Sequence, residues 1–474
     1  WLLFNWAKQE FRDPKKYLYY VLRISKSLSD FEKMVWLSIF NLADITLDHI
    51  KERVDLIEKL DIKPPPMEFF RELNKIRDPI KKLKVLSGVS YQEKIEIINC
   101  VGFCLKNRIS ILELSEIIKV TFPDLYFYLS LPDLGDEFLN KYVWAYIHAK
   151  LRNELTEELK NLAKSFAEQN LIWKFPTRNS ILEKYKEYPQ FWIDGMSIEW
   201  VGLVKHVLED RYQGEFEVTI ELGRANLPTT TEYNKPPEGV EIDYCLDQVF
   251  HKHDYKYPES LIEELECIEN ALENLILMLT NNEGVVITSD HGATRFSGWV
   301  DERIELPCEA KIERHGRYAV TSREPKDSSR YYVERLGEDE YYLISKTYNI
   351  FEGGRRVPGE IHGGATLEEA IVPVILVKRS KPKPIALDIT VIKSGLPVYR
   401  PILQVIISPP VDKVDLRVLS ERISGRRIDE TTWEFDLKPL KLKPGIYTAI
   451  IETRLVKKEI QIEIESGLEE EELL

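Results

Sequence analysis

The residues able to do chemistry in this sequence cluster where apolar runs end. Asp290, His291 and Gly292 follow at once on the β-branched run Val285-Val286-Ile287-Thr288, which is how a buried parallel strand delivers polar ligands at its C-terminal end. An acid before a glycine can equally be an ordinary turn. The ligand reading gains because other strand ends supply Asp194, Thr231, Asp254 and His362, and in an open parallel sheet such ends converge on one crevice. Carboxylates and neutral imidazoles are the mixed oxygen and nitrogen ligands preferred by zinc and acceptable to manganese or magnesium. A threonine among them is a poor ligand and a sensible nucleophile, since a divalent cation can stabilise its alkoxide. A loop or helix start after Pro228 would aim backbone N–H groups at a phosphate beside it. Thr229 and Thr230 stand next to Thr231, so the nucleophile is not fixed by residue type alone.

These residues need a sheet to hold them. From Trp173 onward short apolar strands alternate with helical stretches, the pattern of a sheet with helices on both faces. Strands are expected at Gln190–Ile193, Phe216–Ile220, Val285–Thr288 and Val372–Val377, a long helix over Tyr257–Thr280, and a hairpin around Gly337-Glu338-Asp339. Before Trp173 the chain reads as helical, with Ser29-Asp30-Phe31-Glu32 as a capping box and no chemistry that stands out. Beyond the basic, proline-containing linker Lys378–Pro384, apolar residues alternate in period two, which suggests a sandwich. The fold class is therefore α/β: a central, mostly parallel sheet with flanking helices over 173–380, an all-α domain over 1–172, and a small all-β module over 381–474 ending in the acidic run Glu469–Glu472.

Composition bounds what the chain can bind. At 474 residues with 43% hydrophobic content, two to three cores are expected. A net charge of -14 argues against a non-specific grip on nucleic acid or anionic membrane, while a metal can still supply positive charge to a polyanionic substrate. No apolar run is long enough to span a bilayer. Cys100, Cys104, Cys245, Cys267 and Cys308 are few, odd in number and scattered, and read as reduced core residues of a cytoplasmic protein.

Asp194-Gly195, Pro228-Thr229-Thr230-Thr231, Ser289-Asp290-His291-Gly292 and His362-Gly363-Gly364 fall in an order that resembles the alkaline phosphatase superfamily. With Arg317-Tyr318-Ala319, the middle region resembles more narrowly a PglZ domain of the phage-growth-limitation and BREX defence systems. The resemblance implies an alkaline-phosphatase-like domain in which Asp194, Thr231, Asp290 and His291 hold one divalent metal, with Thr231 as nucleophile. Asp254 and His362 would hold a second, with zinc foremost and manganese or magnesium acceptable. Relatives often carry a histidine four residues after the aspartate matched to Asp254, where this chain has Pro258, which leaves one or two ions open; His251 and His253 are nearby substitutes. Arg317 could contact a phosphate in bidentate fashion. The implied function is a metal-dependent phosphodiesterase or phosphatase, on nucleotides or nucleic acid among other phosphoesters, working with other defence-system proteins. The alternative is a scaffold subunit of a phage-defence complex whose metal site is weak or regulatory.

Overall fold

Gly284–Thr288 is buried at every position, as a strand covered on both faces must be. The computed structural model containing it describes residues 2–466, except 63, 111–113, 213, 327, 338–339, 381–387, 393–394, 412, 420, 430 and 454–456. The acidic tail, most of the linker and the tip of the hairpin lie outside the described residues. The chain divides into two compact units, Trp1–Arg379 and Ser380–Leu474. Among the described residues no helix is long and apolar enough to cross a membrane.

In the first unit, strands β1 (Gln190–Ile193), β2 (Phe216–Arg224), β3 (Glu241–Asp243) and β4 (Gly284–Thr288) are followed by β5 (Lys311–Ile312), β6 (Tyr318–Thr321), β7 (Tyr331–Arg335), β8 (Tyr341–Ser345) and β9 (Ile371–Arg379). The central sheet has the order β2-β9-β4-β1-β3. β1 runs parallel to both β3 and β4, whereas β9 is antiparallel to β4 and β2. The C-terminal ends of β1 to β4 therefore share one edge with the N-terminal end of β9. Pro373, inside β9, is tolerated because the ladder to β4 ends at Ile287↔Ile375, so its missing N–H costs no bond on that side. β5, β6, β8 and β7 form a separate antiparallel sheet between β4 and β9 in sequence.

Helices fill the chain before β1, from Leu2–Glu10 to Glu157–Glu168. The expected cap at Ser29 is displaced by two residues: the helix begins at Leu28 and is capped by Ser27, which accepts from the Asp30 N–H. Helix Glu137–Arg152 packs inward, and its Lys150 is 1% exposed. The Lys150 ammonium lies 3.2 Å from Glu199, 2.8 Å from Glu264 and 2.7 Å from Glu360. Burial alone would discharge Lys150, but the three carboxylates outweigh it and hold its pKa up. One ammonium cannot neutralise three acids. Burial pushes Glu199 up to about 7 and Glu264 up to about 8, with Lys150 opposing. A carboxyl raised above its unfolded value contributes stability that is full at low pH and is lost as pH rises through the folded value. The thermal midpoint should thus fall as pH rises from about 4.5, the ordinary glutamate value, to about 8, the higher of the two folded values, as followed by circular dichroism. A midpoint rising across that window would contradict the assignment.

The cysteine expectation needs correcting. Cys245 and Cys267 form a disulfide, with Cα atoms 5.6 Å apart, because packing of helix Cys245–Phe250 on helix Glu259–Leu279 brings them together. Nothing in their spacing announced it. Cys100, Cys104 and Cys308 are free. Denatured, unreduced chain should take up three alkyl groups by intact mass and reduced chain five; equal uptake in both states would remove the bond.

Among its described residues the second unit has two sheets. One contains Asp388–Val391, Ile402–Ser408, Thr432–Asp436 and Arg426–Arg427; the other contains Gly395–Pro397, Lys457–Glu465, Gly445–Thr453, Val414–Val418 and Glu421–Ser424. Alternate residues such as Leu403, Val405 and Ile407 join Leu416, Phe435, Ile451 and Ile462 in one core.

Candidate metal centre

Asp194 is delivered by β1, and its N–H donates to the Asp243 carbonyl at the end of β3 (2.9 Å). Gly195 turns the chain away at φ +81°, where a glycine is favoured. Asp290 and His291 follow β4. Arg178 fixes their backbone, donating to the Ser289 and Asp290 carbonyls at 2.9 and 2.8 Å. Gly292 must stay a glycine, since a Cβ there would lie 2.0 Å from the Glu368 carbonyl oxygen. The Thr231 loop follows β2 and is tied by buried Asn234. The Asn234 side chain accepts from the Asn226 N–H (2.7 Å) and donates to the Asn226 and Thr230 carbonyls (both 3.0 Å).

The Thr231 hydroxyl donates to Asp290 Oδ2 at 2.7 Å and lies 3.1 Å from His291 Nε2. His291 Nε2 is 3.0 Å from Asp290 Oδ2 and 3.9 Å from Asp194 Oδ1. Asp194, Asp290 and His291 are buried, while Thr231 is exposed, so the group is closed behind and open at the hydroxyl. Asp290 Oδ1 accepts from the His291 and Gly195 N–H groups at 2.9 and 3.3 Å.

A second group adjoins the first. His362 stacks on His291 with ring centroids 3.9 Å apart. Its Nδ1 faces the Thr229 carbonyl at 3.0 Å, and its Nε2 lies 3.2 Å from His251 Nε2 and 3.9 Å from Asp247 Oδ1. His251 Nε2 is 3.2 Å from Asp247 Oδ1. Asp247 and His251 are one turn apart on helix Cys245–Phe250 and its C-terminal cap, so both point the same way.

Asp247, His251 and His362 can bring one ligand atom each within 4.8 Å of one another, as can Asp194, Asp290 and His291. The donor set fits divalent cations. Asp194 Oδ1 and Asp247 Oδ1 are buried without a hydrogen-bond partner. Burial, followed by the Asp290 and Asp247 charges, pushes Asp194 up to about 8. Burial and the neighbouring His291 push His362 down to about 3. Asp290 is held well below its ordinary value, because His291 and the Thr231 hydroxyl outweigh its burial. Crowded acids and bases of this kind are relieved by a bound cation.

Of the residues singled out from sequence, Asp194, Thr231, Asp290, His291 and His362 are brought together. Asp254 is not: it sits exposed in the turn after helix Cys245–Phe250 and belongs to neither ligand group. Asp247 stands in the second group instead, with His251 one turn further along the chain, so this group contains a histidine without one at Pro258. That spacing was the available signal. Arg317 is also corrected. It is fully buried, pairs with both Glu369 oxygens, and donates to the Thr347 and Asn349 carbonyls at 2.8 and 2.7 Å. None of its edges is left for a phosphate. Thr229 is likewise engaged, donating to the Gly364 carbonyl (2.7 Å) and accepting from the Gly363 N–H (2.9 Å).

Residues 242–377 match the family model described as the BREX system PglZ alkaline phosphatase-like domain. Over these residues the chain is similar to a PglZ domain. The match includes Asp247, His251, Asp290, His291 and His362, while Asp194 and Thr231 precede it. No curated protein matches the chain. Among solved structures, the endo-beta-1,4-mannanase from Thermotoga petrophila is similar over 19% of this chain and 22% of its own, at 14% identity and a TM-score of 0.16. So small an overlap carries no argument about fold or activity.

Proposed function

We propose that the PglZ-like unit is a metal-dependent phosphohydrolase in which Thr231 is the nucleophile. Asp194, Thr231, Asp290 and His291 would hold one divalent ion and Asp247, His251 and His362 a second, zinc being the best match to the mixed oxygen and nitrogen donors. The observation that carries this reading is the Thr231 hydroxyl. It is the exposed member of a buried ligand group, within 2.7 Å of a carboxylate and 3.1 Å of an imidazole. Bound ions would supply the Lewis acidity that makes this hydroxyl an alkoxide and would neutralise charge on the phosphoryl oxygens.

The residues do the rest. Asp290 and His291 orient Thr231 Oγ1, and its proton leaves to solvent on the exposed side of the group. Oγ1 then attacks phosphorus in line as the bond from phosphorus to the leaving oxygen breaks. Water cleaves the resulting phospho-threonine and restores the hydroxyl. The PglZ match supports a role beside other defence-system proteins in a BREX-type setting; a cytoplasmic location, and nucleotides, nucleic acid or another phosphoester as substrate, are part of the proposal.

The test is hydrolysis of para-nitrophenyl phosphate and bis-para-nitrophenyl phosphate by metal-stripped protein, with zinc, manganese or magnesium restored singly. Turnover that returns with metal is expected, and the ester preferred separates phosphatase from phosphodiesterase. Folded, metal-loaded protein that hydrolyses neither would favour the scaffold reading.

A further inference from the structure

Helix Glu137–Arg152 supplies no candidate ligand, yet Tyr142, Tyr146 and Lys150 form a buried polar stripe along one face of it. Each ends on a segment behind the site. The Tyr142 hydroxyl donates to Glu368 Oε2 at 3.1 Å, and Glu368 Oε1 accepts from Thr294 at 2.6 Å. The Tyr146 hydroxyl accepts from the Arg295 N–H at 3.1 Å. Lys150 reaches furthest. Its partner Glu199 lies shortly after Asp194, and its partner Glu360 lies just before His362. Its ammonium also sits 5.9 Å from the centre of the Phe250 ring. Phe250 precedes His251 and packs against Gly195, beside Asp194.

We propose that Lys150 is a positioning residue. One ammonium clamps the segment carrying Asp194 to the segment carrying His362, and so sets the spacing between the two ligand groups. Buried carboxylates stay close together only around a cation, and here the carboxylates are borne by the chain segments that must be held in register. Groups of this kind, behind the ligands, typically control metal affinity by about 10- to 100-fold. The inference rests on the metal-bound reading above, and its measurement is affinity rather than turnover.

Zinc affinity is measured by competition with a chromophoric chelator for wild type, Lys150→Met, Glu360→Gln and Glu264→Gln, with the double variant Asp290→Ala/His362→Ala, which takes a ligand from each group, as background and circular dichroism as a check of folding. Lys150→Met and Glu360→Gln should each weaken zinc by about 10- to 100-fold. Glu264→Gln should leave it unchanged, although Glu264 is as buried as Glu360 and shares the same ammonium, because its helix bears no ligand. If Lys150→Met does not fold, the two glutamine variants still decide. Folded Glu360→Gln and Glu264→Gln that weaken zinc equally, or not at all, would reduce Lys150 to ordinary packing. Wild type that binds no zinc above background overturns the metal-site reading itself, and the inference with it.

Discussion

Thr231→Ala is expected to lower turnover of any phosphoester that the wild type hydrolyses by about 10⁴- to 10⁶-fold, the scale on which enzymes lose activity when a covalent nucleophile is removed. Metal should remain bound, since Asp194, Asp290 and His291 form a ligand group without the hydroxyl. The neighbouring threonines give the contrast. Thr230 Oγ1 has no hydrogen-bond partner, so Thr230→Ala should retain activity. Thr229→Ala should act through structure, because its hydroxyl ties the Thr229 loop to Gly363 and Gly364 beside His362. Steady-state kinetics on the three variants, with metal content measured in parallel, separates them. A fully active Thr231→Ala would remove the nucleophile from the mechanism.

Asp247→Ala and His251→Ala should each release one of two bound ions and cut turnover by at least about 100-fold, whereas Asp254→Ala should behave as wild type. The reason is position. Asp247 Oδ1 is buried and lies 3.2 Å from His251 Nε2, while Asp254 faces solvent. Metal stoichiometry by plasma emission decides. Loss of an ion in Asp254→Ala, with both ions kept in Asp247→Ala, would reverse the assignment.

Much of the candidate site was legible because its proposed ligands stand at the ends of strongly apolar strands. Asp194 after Gln190–Ile193 and Asp290-His291 after Gly284–Thr288 are visible as polarity that begins where a buried strand stops. Asp247 was not, because it sits on a helix of six residues whose apolar pattern is too short to register, and a nearby aspartate was available to take its place. The reversal of β9 was hidden as well. A strand buried on both faces reads alike in either direction, and only the need to begin beside His362 sets its course. Arg317 stood out as a residue type, but its destination, Glu369, depends on a contact between distant segments. Lys150 was missed for the same cause. A lysine in a helical pattern is ordinarily solvated, and three carboxylates from three separate segments must meet before its burial makes sense.

The most direct test is chemical capture. Wild-type protein loaded with zinc is mixed with para-nitrophenyl phosphate, quenched in acid during turnover, digested and sequenced by mass spectrometry. The expected result is one phosphoryl group on the peptide containing residues 229–231, located on Thr231 and missing from Thr231→Ala. Steady hydrolysis with no phosphopeptide, or with the phosphoryl group on a different residue, would contradict a covalent mechanism through Thr231.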